Sequence, residues 1–115
     1  MATDCLFCKM ISGAIKPATV HEDDDVLAFK DINPQAPVHV LVVPKRHIAT
    51  LNDLKPADAA LVGKLVLVAG KIARELGVAD SGYRTVMNCN ADAGQSVWHV
   101  HLHLLGGRVM RWPPG

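Results

Sequence analysis

The chain has 115 residues, half of them apolar, with 12 basic and 11 acidic side chains and a net charge of +1. One hydrophobic core fits that length and two do not. The apolar content excludes wholesale disorder, and the balanced charge gives no general attraction for nucleic acid or a membrane surface. Aromatic residues are only 4%, so aliphatic side chains must build the core, whereas histidine occurs six times.

In chain order, residues 6–11 read as a short helix stopped at Gly13, with Pro17 blocking any continuation. Residues 19–21 and 26–30 read as two strands joined by the acidic turn Glu22-Asp23-Asp24-Asp25. A stiff loop, Asn33-Pro34-Gln35-Ala36-Pro37, leads to a β-branched, apolar run over 38–43 that Pro44 ends: a buried strand. Residues 57–76 form the one long helix, with Leu61, Leu65, Val68, Ile72 and Leu76 on one stripe, Pro56 in its first turn and Gly77 at its stop. Val62, Val66, Leu67 and Ala69 make a second side apolar as well. A helix apolar on two sides buries both, so one side is expected on the sheet and the other on a second subunit or beneath a loop. Residues 83–88 and 97–105 complete the strands, and 91–96 form a small polar loop between them. The order β-β-β-α-β-β with short early links is that of an α+β domain with an antiparallel sheet over 1–115.

No run approaches the roughly 18 apolar residues that span a bilayer; the longest patches, 38–44 and 61–69, are broken by His39 and Lys64. The N-terminal residues carry Asp4 and lack a basic stretch ahead of a long apolar one, so no secretory signal is expected. Three cysteines, Cys5, Cys8 and Cys89, make a poor disulfide framework, and a reducing, cytoplasmic setting is expected.

His99, His101 and His103 alternate with Trp98, Val100, Leu102 and Leu104. In a strand the histidines share one face and the apolar residues the other, at roughly 7 Å between like-facing neighbours. Three imidazoles in register are costly to bury without partners. All three on one ion would need donors spread over more than about 10 Å to converge. Nucleophilic catalysis suits the row better: imidazole is neutral near pH 7, attacks phosphorus and leaves again, given donors for the phosphoryl oxygens. The adjoining Gly94-Gln95-Ser96 offers backbone N–H groups and a hydroxyl. A metal-dependent hydrolase using the histidines directly remains the other chemistry of this row.

Cys5-Leu6-Phe7-Cys8 has the spacing of half a zinc site and needs two more ligands, with His47 and His99 as candidates. Two unligated thiols are the plain alternative. A redox pair is disfavoured, because the motif does not follow a strand in a βαβ unit.

His99-Val100-His101-Leu102-His103-Leu104-Leu105 resembles the motif of the histidine triad family. Gln95-Ser96-Val97, the stretches 29–39 and 43–48, and Gly106-Gly107-Arg108 with the ending Trp112-Pro113-Pro114-Gly115 are similar to its Hint branch over nearly the whole chain. The resemblance implies a homodimer with a five-stranded antiparallel sheet per subunit, binding purine nucleotides and hydrolysing nucleoside phosphoramidates. It implies His101 as nucleophile through a nucleotidyl-histidine, His103 and Ser96 at the phosphate or leaving group, and His39 in proton handling. Asp31 would hold the ribose hydroxyls, Ile32 border the base, Asn88 contact the sugar-phosphate, and Gly94, Gln95 and Ser96 contribute to the nucleotide site. Some bacterial members carry a similar Cys-x-x-Cys and bind zinc with two such histidines, which implies a structural zinc on Cys5, Cys8, His47 and His99. From the residues alone, Asp31 and Ser96 read equally as caps, Asn88 as a turn residue, and His39 and Ile32 as core. Trp112 is expected to reach an active site across the dimer, shaping the leaving-group pocket. A dinucleoside polyphosphate hydrolase of the Fhit type, or an interaction protein with incidental activity, are the alternatives.

Overall fold

The computed structural model describes residues 4–115; residues 1–3 of the domain read over 1–115 lie outside the described part. Its elements are α1 (Leu6–Ser12), β1 (Thr19–Glu22), β2 (Val26–Lys30), β3 (Val38–Pro44), α2 (Ala59–Glu75), β4 (Tyr83–Val86) and β5 (Leu102–Gly106). All five strands join one sheet in the order β1-β2-β3-β5-β4, and every neighbouring pair is antiparallel.

The alternation of side chains splits the sheet into two apolar layers. Val26 and Ala28 of β2, Val40 and Val42 of β3 and Leu102 and Leu104 of β5 meet Leu65, Val68, Ala69, Ile72 and Ala73 of α2. The intervening Leu27, Phe29, Leu41 and Val43 face the other way and are covered by Phe7, Met10 and Ile11 of α1. Both faces are thus buried, which explains why β2 and β3 are apolar almost without interruption. It also fixes the place of the site: His39 and His103 occupy alternate positions to the α2-facing residues, so they lie on the α1 side.

Three elements differ from the sequence reading, each for a local reason. The long helix starts at Ala59 rather than 57, because Pro56–Asp58 forms a tight 3-10 turn in which the Asp58 carboxylate accepts the Lys55 N–H at 2.8 Å. Its buried stripe is Leu65, Val68 and Ile72; Leu76 is exposed at the end, where Gly77 takes φ 76 and stops the helix. β4 ends at Val86, opposite His103, because β5 offers little partner beyond that point.

The third difference matters for function. The last strand begins at Leu102, not 97. Its last pair with β3 is Val42 with Leu102. Beyond it the polar groups of the approaching segment find partners off the ladder: the Val100 N–H goes to the Ile48 carbonyl at 2.7 Å, the His99 ring to the Pro44 carbonyl at 2.7 Å, and the His101 ring to the His99 carbonyl at 2.7 Å. His99 and His101 therefore sit off the ladder, and Trp98, expected in the core face, is half exposed. No helix among the described residues is long and apolar enough to cross a membrane.

Candidate active site and metal centre

Backbone partners decide which nitrogen of each histidine carries its proton. A carbonyl oxygen only accepts, so the His101 nitrogen facing the His99 carbonyl, Nδ1, bears hydrogen. Its Nε2 is then a free lone pair. His39 is set the opposite way: its Nδ1 accepts the Gln35 N–H at 3.0 Å, leaving the proton on Nε2. That Nε2–H lies 2.9 Å from His103 Nδ1 and 3.4 Å from Asp31 Oδ2. His103 therefore accepts at Nδ1 and keeps a hydrogen on Nε2. The His101 and His103 rings are 4.9 Å apart between centroids. The site is a free imidazole lone pair beside an imidazole N–H, with every other ring nitrogen committed.

The electrostatics keep the His39 and His103 rings neutral. Burial, then the neighbouring His101 and His39, lowers His103 to about 4; burial also lowers His39 against the opposing pull of Asp31.

A groove of about 400 Å³ opens beside the two rings. Leu6, Phe7 and Met10 of α1 and Phe29 and Leu41 of the sheet give it an apolar floor, while Asp31, Ile32, Ser96, His101 and His103 line it as well. Ile32, core-like by sequence, is 96% exposed at this rim. One Asp31 oxygen accepts the Asn33 N–H at 2.8 Å and the other faces His39. The loop 91–96 is organised differently from the expectation of free backbone donors. The Gly94 and Gln95 N–H groups close turns onto the Ala91 and Asn90 carbonyls. The buried Gln95 amide accepts the Asn90 N–H and donates to the Ala49 and Val97 carbonyls. Gln95 thus shapes the loop, and the donors left for a ligand begin at Ser96. Asn88, past the end of β4, is half-buried and does not line the groove. Trp112 is 83% exposed and also away from its own chain's groove; the tail is held by Arg84, whose guanidinium donates to the Arg111 carbonyl at 3.0 Å.

Cys5, Cys8, His47 and His99 converge behind the groove, their donor atoms all within 4.8 Å of one another. Cys5 Sγ is 3.4 Å and Cys8 Sγ 3.6 Å from His99 Nδ1, Cys8 Sγ is 3.3 Å from His47 Nδ1, and the two Nδ1 atoms are 3.1 Å apart. Ordinary zinc–sulfur and zinc–nitrogen lengths place the corners of a tetrahedron about 3.3–3.8 Å apart. The fully buried His99 ring donates its Nε2–H to the Pro44 carbonyl, which leaves Nδ1 as a lone pair aimed at the cluster, the arrangement that orients metal-binding histidines. Burial and then the Cys5 thiol hold the Cys8 thiol up at about 11, an environment that a dication would invert. The donor set fits a metal ion. Asp31, His39 and His103 also lie within metal-binding reach of one another, but the Gln35 N–H on His39 Nδ1 obliges Nε2 to keep its proton, so that trio is a hydrogen-bonded relay.

The sequence named the histidines and cysteines correctly as neighbours but missed Phe7, which packs edge-on against both His99 and His101 at 5.9 and 5.1 Å. An aromatic between two candidate ligands, in a chain with two phenylalanines, was the available signal. The backbone groups of Gln35 and Pro44 left none.

A family model for the HIT domain matches residues 12–110. A HIT-like protein of Synechocystis is 52% identical over all of both chains. The purine nucleoside phosphoramidase of Escherichia coli K12 is 46% identical, covering 96% of this chain and 92% of its own. Among solved structures, a HIT family hydrolase from Legionella pneumophila superposes with a TM-score of 0.95 at 52% identity, over 96% of this chain and 99% of that one. The chain belongs to the HIT domain family, and its five-stranded antiparallel sheet, long helix and short N-terminal helix are those expected from the sequence. Its relatives by sequence and structure thus include a purine nucleoside phosphoramidase and a HIT family hydrolase.

Proposed function

We propose that the protein hydrolyses the P–N bond of purine nucleoside phosphoramidates through a nucleotidyl intermediate on His101. The observation that carries this is the His101 ring itself: Nδ1–H spent on the His99 carbonyl, Nε2 free, and the His103 ring beside it. In the first step His101 Nε2 bonds to the α-phosphorus, the P–N bond breaks, and the amine leaves with its electron pair and takes a proton from solvent, while the His103 Nε2–H hydrogen-bonds a phosphoryl oxygen. In the second, water forms the new P–O bond and gives its proton back to solvent, the P–Nε2 bond breaks and the nucleoside monophosphate departs. His39 orients His103 so that its N–H faces the phosphate. The Ser96 hydroxyl meets a phosphoryl oxygen, Asp31 takes the ribose hydroxyls at the end of β2, and Ile32 borders the base over the apolar floor. Gly94 and Gln95 set the loop that presents Ser96, and Asn88, two residues past β4 and outside the groove, contacts the sugar-phosphate where the nucleotide extends beyond it.

Cys5, Cys8, His47 and His99 hold a zinc ion whose contribution is structural, since four protein ligands leave no position for substrate. The active form is a homodimer, joined along the exposed Val66 and Leu67 of α2 and the free edge of β4, and Trp112 reaches the partner's leaving-group pocket. The free thiols suit a reducing cytoplasm.

The decisive experiment is mass spectrometry of a base-quenched reaction with adenosine phosphoramidate, since acid would cleave the P–N bond of the intermediate. A nucleotide on His101 is expected, and His101→Ala should lower turnover by at least about 1,000-fold while keeping the melting midpoint. Near-native turnover in that variant refutes the covalent mechanism. Faster cleavage of a diadenosine polyphosphate than of the phosphoramidate would favour the Fhit-type reading.

A further inference from the structure

We infer that the cysteine–histidine centre positions the nucleophile, with His99 and Phe7 as the two links: occupancy of the centre sets the orientation of the His101 ring. This rests on the reading of Cys5, Cys8, His47 and His99 as a metal centre and of His101 as the attacking group.

Three observations lead to it. First, His99 belongs to both sites. Its ring offers Nδ1 to the cluster, and its backbone carbonyl accepts the His101 Nδ1–H at 2.7 Å. The other ring nitrogen is anchored on the Pro44 carbonyl and the ring is fully buried, so ring and backbone are one rigid piece. Fixing the ring fixes the carbonyl that orients His101. Second, Phe7 sits between the two thiol donors in sequence and between the two sites in space. It is buried and packs edge-on against both rings, at 5.9 Å from His99 and 5.1 Å from His101. Third, the sheet does not do this work. The segment carrying His99 and His101 precedes β5 and is tied by one backbone bond, Val100 N–H to the Ile48 carbonyl.

The carrier of Phe7 also needs support. α1 has seven residues, far fewer than the roughly 12 to 15 at which an isolated helix becomes stable in water. Its N-cap is Cys5, whose sulfur accepts the Cys8 N–H at 3.4 Å. A metal bound by both thiols clamps that first turn to His47 and His99. Without it α1 is held by the contacts of Phe7, Met10 and Ile11 with the sheet, and the His101 ring loses a packing wall while keeping its chemistry.

The test uses the full-length protein as purified, the same protein stripped with a zinc chelator and then given back zinc alone, and a Phe7→Leu variant. Four quantities are read: metal content, thermal unfolding, kcat and KM on adenosine phosphoramidate, and the long-range proton–nitrogen NMR spectrum of the histidine rings. The expected result is about one ion per chain in the native protein and a single His101 tautomer with hydrogen on Nδ1. Stripping should leave a cooperatively folding protein in which both His101 tautomers appear and kcat falls at least about tenfold, with recovery on zinc addition. Phe7→Leu should keep its metal yet show mixed His101 tautomers and a lowered kcat. Loss of stability alone would lower the melting midpoint without altering the tautomer signals of folded molecules. A full complement of metal, whose removal changes neither the His101 signals nor kcat, overturns the coupling and leaves the metal centre standing. Absence of metal, with none taken up from added zinc, overturns both.

Discussion

At the scale of single residues, the notable economy is that backbone groups choose the protonation pattern of four histidines. The Pro44 carbonyl turns His99 toward the cysteines, the His99 carbonyl frees Nε2 of His101, and the Gln35 N–H points the His39 proton at His103. The pattern requires His39 and His103 to be neutral, and burial lowers both from 6.5, His103 to about 4. The sign follows from proton uptake. Between about pH 6.5 and 4 the unfolded chain binds a proton at His103 that the folded protein does not, and His39 acts in the same direction below 6.5, so their contribution is whole above that range and is lost as pH falls through it. The carboxylates of Asp23 and Asp58 are lowered from 3.8 and act below this range. The melting midpoint is therefore expected to drop steadily from pH 7 toward about 4.5, with a shallower slope in a His39→Gln/His103→Gln variant. Equal slopes would rule out these histidines as the source.

At the scale of elements, the sheet and α2 supply a rigid base and the loops at its edge supply the chemistry. Leu65 is fully buried between α2 and the sheet, and Leu65→Ala should cost about 2–5 kcal/mol in urea unfolding. The turn after β5 links fold to site. Gly107 takes φ 90, and a Cβ there would stand 2.9 Å from the Pro37 side chain. The next residue, Arg108, donates to the Gln35 carbonyl at 3.0 Å, while the Gln35 N–H orients His39. Gly107→Ala is expected to destabilise by about 1–3 kcal/mol and to lower kcat as well, measured by chemical denaturation alongside steady-state kinetics. Unchanged kcat would show that the 33–37 loop does not depend on this turn. The strands, the long helix and its glycine stop were legible because periodicity and turn residues report them directly. The early end of the last strand was not, since it depends on ring nitrogens competing for carbonyls of residues up to 55 positions away.

For the whole molecule, the near-neutral charge and the second apolar side of α2 belong together. The mononucleotide of the proposed reaction would be met by imidazole and hydroxyl donors in a local groove, with no broad basic surface needed. The uncovered surface is instead apolar: Val66 and Leu67 stand exposed on α2, near the free edge strand β4, where the Tyr83 hydroxyl lies against Gly70. Burying that face in a homodimer removes both exposed aliphatics and an open sheet edge. Sedimentation is expected to give twice the chain mass for the native protein and the monomer mass for Leu67→Glu, whose cost within one chain is small because the side chain is 74% exposed. A native monomer would refute the dimer. Deleting 111–115 should then shift preference among leaving amines more than it shifts stability, by the same placement of Trp112.

The sequence by itself determined the fold class, the helix and strand order, and the identity of the histidines and cysteines that meet, because patterning and motif spacing are local and are written in residue type. Only the tertiary structure decided how those residues are used. It peeled His99 and His101 off the ladder, placed α1 over the face opposite α2, and through three backbone groups turned His99 toward His47 and the cysteines, freed a lone pair on His101 and set His39 and His103 in a relay. Those partners lie from 2 to 55 positions away along the chain, at no fixed spacing, so no periodicity records them.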